Sequence, residues 1–118
     1  MRKRLLIVAA AAGLSFMVAD WAAACSVYAN VQSVRKSGDS RYEVVFVLDV
    51  DCQRNSGCGG TIDYEVVLSA PRWDDKVVKG SSSWRINQHA GTAMVRVTGQ
   101  CLPDEQPTTA VVTNTTCR

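Results

Sequence analysis

The sequence predicts an all-β domain, and three observations predict it. Apolar residues recur with a period of two in one run after another, the spacing of a half-buried strand. Clusters of Gly, Ser, Asp, Asn and Pro separate these runs at intervals of roughly 10–12 residues, the rhythm of an antiparallel sandwich. No stretch carries the three- and four-residue apolar spacing of an amphipathic helix.

The N-terminus is read apart from these runs. Arg2, Lys3 and Arg4 precede an apolar run from Leu5 to Ala19, and Ala22-Ala23-Ala24 offers small residues where a signal peptidase reads them. Residues 1–24 are therefore expected to be a signal peptide, and 25–118 a single β-sandwich domain. Cleavage after Ala24 makes Cys25 the first mature residue. "AAAC" resembles the bacterial lipoprotein box, with Ala22 where a leucine is usual. That resemblance implies a lipid attached at Cys25.

The first β run, "CSVYANVQSVRK", holds Val27, Ala29, Val31 and Ser33 in phase. "RYEVVFVLDVDC" is clearer. Tyr42, Val44, Phe46, Leu48, Val50 and Cys52 share one face, while Val45 and Val47 interrupt the polar face, as in a central strand with partial outer cover. "SGDS" between the two reads as a hairpin with Gly38-Asp39 at its turn. That turn pairs Val27 with Val50, Ala29 with Leu48, Val31 with Phe46 and Ser33 with Val44, so the apolar faces coincide. It also sets Cys25 opposite Cys52.

"TIDYEVVLSA" aligns Ile62, Tyr64, Val66 and Leu68. "PRWDDKVVKG" reads either as an exposed connection or as a short edge strand around Val77–Val78. "SSSWRIN" contributes Trp84 and Ile86, and "TAMVRVTGQC" aligns Ala93, Val95, Val97 and Cys101. Joined through "NQHAGT", these last two would bring Trp84 opposite Val95. "TTAVVTNTTC" is rich in β-branched residues. Six or seven antiparallel strands of this length suit a small two-sheet sandwich of immunoglobulin-like or fibronectin-like type, with a small β-barrel as the alternative.

Five cysteines, Cys25, Cys52, Cys58, Cys101 and Cys117, lie at or beyond the cleavage point and read as disulfide partners in an exported chain. Two schemes stand open. In one, Cys25 carries lipid, Cys52 bonds Cys58 and Cys101 bonds Cys117. In the other, Cys25 bonds Cys52 across the hairpin, and the remaining three hold one further bond. A β-hairpin between the last two strands would oppose the Cys101–Cys117 bond by carrying its two cysteines ~30 Å apart.

Charge excludes some partners. The leader holds three of the 13 basic residues and one of the 11 acidic ones, so the domain is left neutral. No basic stripe points to nucleic acid, and a membrane is expected only through the lipid. "DVDCQRNSGCGG" starts like a calcium loop, but Gln53, Arg54 and Gly60 stand where an EF-hand needs other residues. "CQRNSGC" has the wrong spacing for zinc and no second pair. The glycines of "GCGG", Gly57, Gly59 and Gly60, read as a flexible turn beside a disulfide. His89 is the single histidine and reads as an exposed loop residue, since no nucleophile or carboxylate motif accompanies it. No cofactor, metal or catalytic residue is expected, and the chain is not read as an enzyme.

"APRWDDK" is the expected contact loop. Arg72, Trp73, Asp74 and Asp75 combine residue types enriched at binding hot spots, although a loop tryptophan can instead fold over a sheet edge. The expected function is thus an exported binding or structural module of the periplasm, cell envelope or secreted fraction, meeting a protein or envelope component through loops. The alternative is an inhibitor of a protease or lysozyme, presenting a loop that disulfides hold rigid.

Overall fold

The computed structural model describes residues 25–118; the signal-peptide reading falls on 1–24 and lies outside the described residues. Six strands follow in order: β1 (Ser26–Gly38), β2 (Arg41–Asp51), β3 (Cys58–Ala70), β4 (Trp73–Ile86), β5 (Ala90–Gln100) and β6 (Gln106–Thr115). They form two three-stranded antiparallel sheets, β1-β2-β5 and β4-β3-β6. The sheets pack face to face as a sandwich and do not close into a barrel.

The strand period decides what fills the interior. Tyr42, Val44, Phe46, Leu48 and Val50 of β2 point inward with Ile62, Val66 and Leu68 of β3, and all are buried. Trp84 and Ile86 of β4 and Ala93, Val95 and Val97 of β5 complete the layer. Phe46 and Tyr64 meet across the two sheets with ring centroids 5.3 Å apart. Each fully buried side chain of this kind contributes roughly 1.5–3 kcal/mol. Outside the core, Val45 is also covered, being only 5% exposed. Glu43 lies beside it on the outer face and binds both Arg35 and Arg96, at 2.9 and 3.2 Å.

The hairpin register agrees with the sequence reading over part of its length. Val27 pairs with Val50, Ala29 with Leu48 and Val31 with Phe46. Beyond Val31 a bulge intervenes, so Ser33 faces Val45 instead of Val44, and Val34 takes the place opposite Val44. The turn also moves one residue on, to Asp39-Ser40, between the paired Gly38 and Arg41. A turn there, with no irregularity, would slide β1 by two residues along β2 and set Val27 opposite Cys52 and Val31 opposite Leu48. Two irregularities in β1, at Val31/Ser33 and Lys36/Gly38, absorb the extra residues, which is why β1 has 13 residues to the 11 of β2. The first of them turns Val34 onto the core in place of Ser33, so burial of an apolar side chain outweighs the regular ladder.

Pairing among the later strands departs from expectation. "PRWDDKVVKG" and "SSSWRIN" are one strand, β4, which explains six strands in place of seven. Gly80 does not break it, because the glycine lies opposite Tyr64 and leaves room for its ring. The segment 87–89 crosses between sheets, so β4 pairs with β3 and β5 pairs with β2. Trp84 and Val95 therefore belong to opposite sheets and are joined through the core, not through a ladder. Likewise β6 pairs with β3 and not with β5.

Candidate functional site

Sulfur gathers at one end of the sandwich. The β1–β2 register brings Cys25 beside the end of β2, which Cys52 follows. The loop from Cys52 to Cys58 doubles back sharply. Gln53 adopts a left-handed conformation with φ of 56°, and its N–H donates to the Asp51 carboxylate at 3.1 Å. Gly57, with φ of 92°, is a position that a side chain could not occupy without striking Ile86. The two turns let Cys58 return to Cys52, and the pair is disulfide-bonded with Cα atoms 5.5 Å apart.

The C-terminal tail reaches the same place because β6 runs along β3. Arg118 and Gly59 exchange backbone hydrogen bonds, with the Arg118 N–H donating at 2.9 Å and the Gly59 N–H donating at 3.1 Å. The Thr116 N–H donates to the Thr61 carbonyl at 2.9 Å. Gly59 and Gly60 are thus not a flexible turn. They are strand residues, and a Cβ at Gly60 would strike the Thr116 carbonyl. Cys117 is thereby delivered to Cys25 and bonded to it, with Cα atoms 5.8 Å apart.

The cysteine pairing is therefore Cys25–Cys117 and Cys52–Cys58, with Cys101 buried and unpaired. Of the sequence-based pairings, the structure contains Cys52–Cys58. It does not contain Cys101–Cys117, because the Cys101 N–H binds Ser40 at the β1–β2 turn, at the other end of β2 from Cys52. Nor does it contain Cys25–Cys52, although the register, which pairs Ser26 with Asp51, carries Cys25 to the end of β2 that Cys52 follows. A sulfur committed to Cys117 is also not available to carry a lipid at Cys25. Even so, the unbonded sulfurs crowd one another: Cys58 Sγ lies 3.1 Å from Cys25 Sγ and 3.7 Å from Cys117 Sγ.

The opposite end holds the expected contact loop. Arg72 lies at the tip of the β3–β4 hairpin, and Trp73, Asp74 and Asp75 open β4. All four are exposed. Trp73 is 51% exposed, so its ring does not fold away over the sheet. Polar contacts brace the base of the tip. The Ser69 hydroxyl donates to Asp75 at 2.8 Å, and Lys76 pairs with Glu105 at 3.3 Å.

Glu105 is the buried charged residue of the domain, and the sequence reading missed it; "PDEQP" carries no signal that would single it out. Its carboxylate accepts the Leu102 N–H at 2.7 Å. That hydrogen bond, together with the Lys76 ammonium, holds Glu105 below the ordinary carboxylate range despite its burial. The β5–β6 loop is thus tied to the root of the β3–β4 hairpin. Lys36 of β1 reaches the Pro103 carbonyl of the same loop.

His89 is exposed, and its carbonyl accepts the Cys52 N–H at 2.8 Å, so it anchors a loop through its backbone. Asp49 and Asp51 are exposed on the outer face. Among the described residues no helix is long and apolar enough to cross a membrane. No protein-family model, no curated protein and no solved structure matches the chain.

Proposed function

We propose that this protein is an exported binding module that engages a protein partner of the cell envelope through the β3–β4 hairpin tip. The observation that carries the reading is the exposure of Trp73 between Arg72 and the Asp74-Asp75 pair. An aromatic ring held half in water is a cost that a partner's surface removes, and tryptophan and arginine are both enriched at binding hot spots. The bracing through Ser69 and the Lys76–Glu105 pair supports the same reading, because an ordered tip loses little entropy on binding. The two disulfides are compatible with an oxidising, exported setting. With Cys25 bonded to Cys117, the reading carries no lipid anchor.

The test is an Arg72→Ala/Trp73→Ala double variant, compared with wild type in crosslinking to an envelope fraction. The expected result is loss of the wild-type crosslinked species with an unchanged melting temperature. Retention of the same crosslinked partners by the double variant overturns the assignment to this tip.

A further inference from the structure

The sulfur cluster at the other end of the molecule does more than brace it. Its two disulfides differ in access. Cys52 and Cys58 are 0% and 1% exposed, whereas Cys25 and Cys117 are half-buried. A thiol in solution can therefore reach the Cys25–Cys117 bond and cannot reach the inner one. Yet the two bonds are not isolated, since Cys25 Sγ stands 3.1 Å from Cys58 Sγ. That separation lies within the ~3–3.5 Å at which reacting atoms are poised to react. The fifth cysteine, Cys101, is not near enough to compete, because it lies at the far end of β2.

We propose that these four cysteines form a thiol–disulfide exchange site whose substrate class is a dithiol reductant, with Cys117 as entrance and Cys58 as internal acceptor. A thiolate of the dithiol attacks Cys117 Sγ. The Cys25–Cys117 bond breaks, a mixed disulfide forms at Cys117, and the electron pair leaves on Cys25. The Cys25 thiolate then attacks Cys58 Sγ; the Cys25–Cys58 bond forms, the Cys52–Cys58 bond breaks, and Cys52 departs as a thiolate that takes a proton from water. The second thiol of the reductant resolves the mixed disulfide and releases Cys117 as a thiol. In sum, two electrons pass from the dithiol, which becomes a disulfide, and the protein keeps one bond, Cys25–Cys58. The loop between Cys52 and Cys58 is thereby unclasped by a reductant that never touches it. This proposal is independent of the hairpin-tip reading, which concerns the other end of the sandwich.

The full oxidised chain is exposed to limiting dithiothreitol, quenched, alkylated and mapped as non-reduced peptides. The expected two-thiol species has Cys25 crosslinked to Cys58, with Cys52 and Cys117 alkylated and buried Cys101 unlabelled. The proposal is overturned if the main two-thiol species has Cys25 and Cys117 alkylated with Cys52–Cys58 intact. It is equally overturned if Cys101 labels together with Cys52, since the bonds would then open through global unfolding. A Cys25→Ser/Cys117→Ser variant provides the second measurement. Its Cys52 should escape alkylation over the time in which wild-type Cys52 is labelled, and labelling at the wild-type rate refutes the route.

Discussion

Replacing Gly99 with alanine should destabilise the domain, although alanine is ordinarily the better residue in a strand. Gly99 lies opposite Tyr42 in the β2–β5 ladder, and a Cβ built there falls 2.7 Å from Cε2 of the ring, with Cζ and the hydroxyl closer still. An unstrained carbon contact is ~3.5–4.0 Å, so the ring must retreat by roughly 1 Å. It has little room to do so, since Tyr42 is only 4% exposed and sits in the core cluster. Overpacking of this kind costs about 1–3 kcal/mol. The loss of glycine's backbone freedom in the unfolded chain returns roughly 0.5–1 kcal/mol. A net loss of about 1–2 kcal/mol remains. At ~4–8 °C per kcal/mol for a domain of this size, calorimetry of the oxidised protein should show a melting temperature lower by about 5–15 °C. Gly38→Ala is the control. Nothing lies within 4 Å of its Cβ, and its backbone is outside the left-handed region, so the entropic gain is unopposed. Its melting temperature should rise. If Gly99→Ala melts at or above wild type, or if both substitutions shift the melting temperature the same way, the ring-over-glycine reasoning fails.

Three further outcomes follow from the same geometry. Gly80→Ala meets the Tyr64 ring in the same manner, but Tyr64 is half-buried and can swing outward, so its melting temperature should fall by less than that of Gly99→Ala. Phe46→Ala removes a fully buried ring and its contact with Tyr64, and urea unfolding should report a loss of about 3–5 kcal/mol. Glu105 titrates below its unfolded value, so its contribution is present at neutral pH and is lost as pH falls through the folded pKa. Glu105→Gln should therefore flatten the acid limb of the stability–pH profile, and an unchanged limb would show that another group governs it.

The amino-acid pattern by itself determined the all-β class, the inward sets of β2, β3 and β5, and half of the first hairpin's register. Each of these rests on a period of two, which any strand displays locally because its side chains alternate between core and water. The first bulge in β1 departs from that alternation, bringing Val34 to the core in place of Ser33. The same locality explains what was not legible. Trp84 and Val95 both announce a buried face, but nothing in their spacing says which strand lies beside them. Only the tertiary structure paired β5 with β2 and β6 with β3, because the choice depends on two sheets closing over one core.

The cysteines follow from that choice. Sequence brought Cys25 to the end of β2 by register and Cys52 to Cys58 by a short loop, and the molecule has both the Ser26–Asp51 pairing and the Cys52–Cys58 bond. The third arrival, Cys117, depends on β6 running along β3, and with it come the Cys25–Cys117 bond and the isolation of Cys101. Glu105 was hidden for a related reason. A carboxylate is buried only where a neighbouring N–H and a lysine from another strand converge to hold its charge, and that convergence exists only once the sheets are stacked.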